Sequence, residues 1–211
     1  AHERKQQERH ARRRRIQRAA RTVFAEKGYA KTSIEQIARE ASLSVGAIYL
    51  YFRSKEDLYV SLLEETLETF DTDIKGIISG TEAVDARLKS IWHYLGEWAT
   101  GDVEATRVLR LASQPGVRKQ LSDEVAESVG KGLGRIREHI STLISEDPQW
   151  EAIGSERAVD LIWSLLLGVL QANDARLNLS LDGGDFSALS NTAWLAVEAT
   201  LRGPGTITAS A

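Results

Sequence analysis

Apolar positions along this chain recur three and four residues apart, and no run alternates in the manner of a strand, so the pattern predicts an all-α protein. Ile16, Ala19, Ala20, Val23 and Phe24 line one face of a first helix that should stop at Gly28. The polar, basic stretch from Arg4 to Arg15 is expected to fray at its start. Ile34, Ile37, Ala38 and Ala41 give a short second helix, capped by Thr32 or Ser33 with Glu35 or Gln36 closing a capping box. Ser42-Leu43-Ser44 makes a turn, and Ile48 and Phe52 anchor a third short helix. Ser54 caps a long fourth helix, with Glu56 and Asp57 suited to its first turn and Gly76 and Gly80 near its end. Loop signals at 101–102, 114–116, 147–148 and 181–185 then separate helices expected near 82–100, 103–113, 117–145, 156–178 and 186–202. That makes nine helices, and the last nine residues read as disordered.

The segment 32–57 has an unusual outer face. With Ile48 and Phe52 turned inward, Ser44, Val45, Gly46, Ala47, Tyr49, Leu50 and Tyr51 are left facing out. Gly46 costs about 1 kcal/mol of helix propensity relative to Ala, and its missing side chain permits close approach of a partner. Tyr49 and Tyr51 offer hydroxyl donors of the kind that hold phosphate oxygens. The segment reads as a DNA-binding helix-turn-helix.

At this point the chain resembles the TetR family of bacterial transcriptional regulators. The resemblance rests on Gly46 to Leu58, on Ala19-Ala20 through Phe24-Ala25-Glu26-Lys27-Gly28-Tyr29, and on Thr32-Ser33-Ile34, and covers about residues 12–65. It differs from the family's usual pattern at Ser42, commonly Gly, and at Val45, Leu50 and Tyr51, commonly polar or His. Apolar residues there favour contact with thymine methyl groups. The resemblance implies a head, 1–54, with a basic arm, joined to an effector-binding and dimerisation body, 55–211. Thr32, Ser33, Tyr49, Tyr51 and Lys55 are then expected to hold phosphates, Ser44, Val45, Ala47 and Leu50 to face base edges, and Arg12, Arg13, Arg14 and Arg15 to reach phosphates or a minor groove.

Charge agrees with that division. Residues 1–60 carry 14 Lys and Arg against 7 Asp and Glu, whereas residues 61–211 carry 13 against 23. A basic end on an acidic body fits a nucleic-acid-binding head. The absence of cysteine excludes disulfides, thiolate metal sites and cysteine nucleophiles, and fits a reducing cytoplasm. The start shows no signal-peptide core, and no apolar run reaches membrane-spanning length.

No catalytic signature emerges, and neither an enzyme nor a cofactor is expected. A Gly-x-Ser-x-Gly turn is missing, and Gly130-x-Gly132-x-Gly134 follows no strand, so it serves helix packing or a kink and not a dinucleotide. His93 and Glu97 share a helix face, but two ligands do not make a metal site. In the body, Phe70, Trp92, Trp98, Leu109, Trp163 and Leu166 supply bulky apolar groups, with His93, Tyr94 and Arg110 as polar handles. The resemblance implies that such residues line a pocket for a small hydrophobic or amphipathic effector. The helix near 156–178 is apolar nearly all round, which suggests burial on two sides. In the family, the last two long helices pair across a two-fold axis, which assigns Ile162, Leu166, Val169, Leu170, Asn173, Trp194, Val197 and Leu201 to a homodimer interface. The expected function is a ligand-responsive repressor on a palindromic operator, with an activator or a DNA binder that senses no ligand as the alternative.

Overall fold

The computed structural model describes residues 2–150, 152–180 and 185–203. Among these residues there are ten α-helices and two 3-10 turns, with no strand. The helices are α1 (His2–Lys31), α2 (Ile34–Glu40), α3 (Val45–Tyr49), α4 (Lys55–Ser61), α5 (Leu63–Ile78), α6 (Val84–Gly101), α7 (Val103–Ala112), α8 (Asp123–Ser145), α9 (Ser155–Leu179) and α10 (Phe186–Arg202). The 3-10 turns span Val117–Gln120 and Pro148–Trp150. The long fourth helix of the sequence reading appears as α4 and α5. Leu62 between them keeps a right-handed helical backbone (φ −66°, ψ −18°), so nine helices is also a fair count of the described residues. The loop residues 181–184 and, apart from Gly203, the end expected to be disordered lie outside the described residues.

The basic stretch before Ile16 is helical from His2 onward, contrary to the expected fraying. Its Glu, Lys, Gln, Arg and Ala residues are all good helix formers, and an Arg4–Glu8 pair at 3.1 Å adds i,i+4 support. This part of α1 has no apolar stripe, and propensity carries the helix. Gly28 ends the regular part of α1 as expected, with φ +73°.

The helix expected over 117–145 is also interrupted. Gly116 takes φ +87°, a single 3-10 turn follows, and Leu121 is extended. Ser122 then starts α8, its hydroxyl accepting from the Val125 N–H at 3.3 Å. Ser122-Asp123-Glu124, a cap residue followed by two acids, is a helix start that the sequence carries in plain sight.

The chain packs as two compact units, Ala1–Thr69 with Asp102–Leu133, and Phe70–Gly101 with Gly134–Ala211. The first unit is built on fully buried Ile16, Phe24, Ile37, Ile48, Phe52 and Leu58. Phe24, Tyr29 and Tyr59 form a ring cluster there, with Tyr59 4.5 Å from Phe24 and 4.7 Å from Tyr29. Gly132 is small because Leu67 crosses it: an added Cβ would meet that side chain at 3.0 Å. The second unit holds a tryptophan stack, Trp92 to Trp194 at 6.0 Å and Trp194 to Trp150 at 6.2 Å, closed by Arg202 at 4.6 Å over Trp150. Burying each such ring contributes on the order of 2–3 kcal/mol.

Candidate nucleic-acid interface

The helix-turn-helix is assembled by local chemistry. Ser33 caps α2 by accepting from the Gln36 N–H at 3.4 Å, and the Gln36 side chain accepts the Ser33 N–H at 3.0 Å, which completes the capping box. The turn leaves α2 through Ser42, whose φ of +52° lies in the left-handed region. The Leu43 N–H donates to the Ala38 carbonyl at 2.8 Å and closes the corner. Ser44 then caps α3, accepting from the Ala47 N–H at 3.2 Å. Ile48 and Phe52 fasten α3 to the core, with at most 1% exposed.

That anchoring decides what faces out. Tyr49 is 52% exposed and Leu50 77%, and the Tyr49 hydroxyl has no partner among the described residues. Gly46 and Ser44 are exposed, while Val45, Ala47 and Tyr51 are half-buried. A Cβ added at Gly46 would meet nothing within 4 Å, so no internal contact requires glycine there. The bare backbone at Gly46 is available to an external partner.

Three of the expected phosphate ligands have partners within the subunit. Thr32 is buried, and its hydroxyl donates to the Gly28 carbonyl at 2.9 Å. Lys55 Nζ donates to the carbonyls of Tyr29 at 3.0 Å and Thr32 at 3.1 Å, and lies 4.2 Å from the centre of the Tyr29 ring. It is therefore a clamp between α4 and the end of α1. The Tyr29 hydroxyl donates to Glu56 beside it. Burial and that carboxylate push the Tyr29 phenol above its ordinary range. Burial works against the Glu56 carboxylate, yet the hydroxyl's bond keeps its pKa below the usual value. Arg13 turns inward: it is bidentate to Glu64, its Nε lies 3.5 Å from Glu124, and its guanidinium stands 5.0 Å over Phe52. Arg12, Arg14 and Arg15 remain exposed.

Behind the interface is a carboxylate that the sequence reading used only as a helix-start residue. Asp57 is fully buried and accepts three bonds: the Arg53 N–H at 2.7 Å, the Ser122 N–H at 2.9 Å and the Ser122 hydroxyl at 3.0 Å. Ser54, which caps α4, also donates to the Gln120 carbonyl at 3.1 Å. The exit from α3 is thus tied to the segment that opens α8. The basic residues Lys5 and Arg9 were also missed; with Tyr51 they border an open groove along α1.

The residues expected to bind an effector are divided between the two units. Leu109 and Arg110 belong to the first, and Phe70, Trp92, His93, Tyr94, Trp98, Trp163 and Leu166 to the second. Phe70 packs edge-on against Trp98 at 4.8 Å and against Tyr94 at 5.7 Å, and the Tyr94 hydroxyl donates to Asp73 at 2.6 Å. Trp92 is fully buried with its N–H bonded to Ser190 at 3.0 Å. His93 is exposed and faces away from that core. No group of three or more His, Cys, Asp or Glu side chains among the described residues is placed to hold a metal.

The expected dimer residues lie mostly inward. Ile162, Leu166, Val169, Leu170, Trp194, Val197 and Leu201 are all buried within the single subunit, with Asn173 half-buried. The seven apolar residues form the subunit's own core. The outer side of α9 carries half-buried Leu161, Leu165 and Ala172 with exposed Ser164 and Gly168, and that of α10 carries exposed Ala188, Leu195 and Ala199. Leu195 is 63% exposed.

Residues 16–62 match the family model for bacterial regulatory proteins of the tetR family. The HTH-type transcriptional regulator HbdR of Aromatoleum sp. (strain CIB) is 42% identical over 84 residues, which are 39% of this chain and 37% of that protein. The fatty acid metabolism regulator protein of Bacillus subtilis (strain 168) is 43% identical over 61 residues, 27% of this chain and 31% of that one. The chain thus spans about a third of the length of these curated relatives. In fold it is similar to the transcriptional regulator FadR from Bacillus subtilis in complex with stearoyl-CoA, with a TM-score of 0.67 and 23% identity over 88% of this chain and 97% of that one. FadR of Thermus thermophilus, a repressor in complex with lauroyl-CoA, gives a TM-score of 0.66 at 19% identity over 88% of this chain and 92% of that one.

Proposed function

We infer that this chain, a member of the TetR family of bacterial regulatory proteins, is a homodimeric, ligand-responsive transcriptional repressor that acts on a palindromic operator in the cytoplasm. The observation that carries this reading is the exposed face of α3, with unpartnered Tyr49, 77%-exposed Leu50 and bare Gly46 held outward by buried Ile48 and Phe52. Ser44, Val45, Ala47 and Leu50 face base edges, and Ser33, Tyr49 and Tyr51 donate to phosphates. Two heads about one helical turn apart fit a two-fold operator. Dimerisation uses the outer sides of α9 and α10, where Leu161, Leu165 and Leu195 are apolar and Gly168 leaves open space for a second subunit's backbone.

The effector is amphipathic, and the acyl-CoA complexes of the two FadR proteins make long-chain acyl thioesters the first class to test. An effector releases DNA only through a difference in affinity between two head spacings. The link we assign is the Asp57–Ser122 and Ser54–Gln120 contact, which joins the end of the recognition element to α8. No helix among the described residues is long and apolar enough to cross a membrane.

The test is selection of a duplex from a randomised pool, followed by titration with stearoyl- and lauroyl-CoA. A selected palindrome that is released by either thioester supports the reading. Recovery of no preferred duplex would overturn it. Binding that no acyl-CoA alters would leave a DNA binder and remove the acyl thioester as effector.

A further inference from the structure

The first 14 residues of α1's described length, His2 to Arg15, precede its first buried residue, Ile16, and at 1.5 Å per residue carry the helix about 21 Å beyond it. Lys5, Arg9, Arg12 and Arg15 follow one another at steps of four, three and three, which puts them on one side of the helix. They line an open groove of about 790 Å³, and Tyr51, just past the recognition helix, also borders it. Arg9 stands 6.0 Å from the Tyr51 ring centre and 3.3 Å from Glu124. Lys5, Arg12 and Arg15 have no ion-pair or hydrogen-bond partner among the described residues. Glu8, the single acid of the groove, is already taken by Arg4 at 3.1 Å.

Like charges one helical turn apart repel by a few tenths of a kcal/mol per pair, and nothing in this unit neutralises three of the four. Their spacing of about 5–6 Å is on the scale of neighbouring phosphates along one nucleic-acid strand. Arg13, four residues on from Arg9 and turned inward, fastens the helix to Glu64 and Phe52, so the basic face is held in register with α3. We propose that the amino-terminal half of α1 is a second DNA-contacting element, a rigid helical arm whose Lys5–Arg9–Arg12–Arg15 face grips the phosphate backbone flanking the segment that α3 reads. This rests on the DNA-binding reading above. It adds affinity and extends the site without adding base preference.

The test uses a 40-base-pair duplex selected from a randomised pool by the full chain, and the same duplex trimmed to the base pairs that the selection fixes. Binding is measured by fluorescence anisotropy across a salt series. Replacing Lys5, Arg9 and Arg12 together by Ala should weaken binding to the long duplex about 10-fold or more and flatten the salt slope by about two to three units. On the trimmed duplex, wild type and variant should bind alike, and the variant should fix the same bases in a repeat selection. Lys89→Ala with Arg157→Ala, exposed basic residues of α6 and α9, should leave the slope unchanged. An unchanged slope in the triple variant, or an equal change in the Lys89/Arg157 control, would overturn the arm. Alanine preserves helix, and circular dichroism checks that it has done so. If no duplex is selected at all, the DNA-binding reading falls first, and the arm falls with it.

Discussion

The third helix and the α9–α10 pair both present apolar groups, yet only the first gave up its outer face to inspection of the sequence. α3 has five residues and one anchor pattern, Ile48 with Phe52 just beyond it, so the remaining positions are exposed or half-buried. α9 runs for 25 residues and is apolar nearly all round, so periodicity shows that it is heavily buried without showing by what. The stripe at Ile162, Leu166, Val169 and Leu170, the obvious candidate for a partner, fills the subunit's own core. Smaller residues and scattered leucines on the other side are what solvent meets. In a helix with two apolar faces, the bulkier one goes to the interior.

Adjacent residues of α10 break this comparison most sharply. Trp194→Ala should cost about 3–5 kcal/mol of unfolding free energy, because it removes a buried ring from the tryptophan stack. Leu195→Ala should cost the isolated subunit under about 0.5 kcal/mol. Chemical denaturation at fixed protein concentration compares the two. Leu195→Glu should leave the subunit folded and shift it toward monomer in sedimentation velocity; an unchanged oligomeric state would remove α10 from the proposed interface.

Next in size is the tie behind the interface. Asp57→Asn should destabilise the first unit by about 1–3 kcal/mol, since an amide cannot accept all three of the bonds that this buried carboxylate accepts from Arg53 and Ser122. Ser42→Gly should act in the opposite direction and add about 0.5–1 kcal/mol, because φ of +52° strains any residue with a Cβ. Thermal melts of the two variants should move to opposite sides of wild type.

A smaller effect appears in acid. Hydrogen bonds from Lys75 and His139, both at 2.8 Å, lower the Asp71 carboxyl from 3.8 to about 2. The folded-state value lies below the unfolded one, so the stabilisation is complete above about pH 3.8 and is lost as pH falls toward 2. Asp71→Asn should lower the neutral-pH melt and leave the melt near pH 2 almost unchanged, so that the wild-type and variant curves converge as pH falls. An identical acid limb in wild type and variant would count against the assignment.

Much of the first unit was legible in the residues. Ser33 with Gln36, Ser44, Ser54 and Gly28 are local signals, and each acts within four residues of its own position. What escaped was long-range or lacked an apolar stripe. The arm before Ile16 is ordered by propensity and by charge pairs that reach Glu64 and Glu124. Lys55 and Thr32 looked like free polar groups until the chain folded back and gave them carbonyl partners. A sequence shows a donor; only the fold shows whether that donor is already engaged.

The central claim is that the outer face of α3 meets DNA. Leu50 tests it most directly, because its 77% exposure means that a substitution there costs the fold little. Leu50→Glu places a carboxylate where the phosphate backbone and base edges should lie. Titrated against the selected duplex, the variant should melt like wild type and bind about 100-fold more weakly. A folded Leu50→Glu protein that binds the duplex with wild-type affinity would contradict the account.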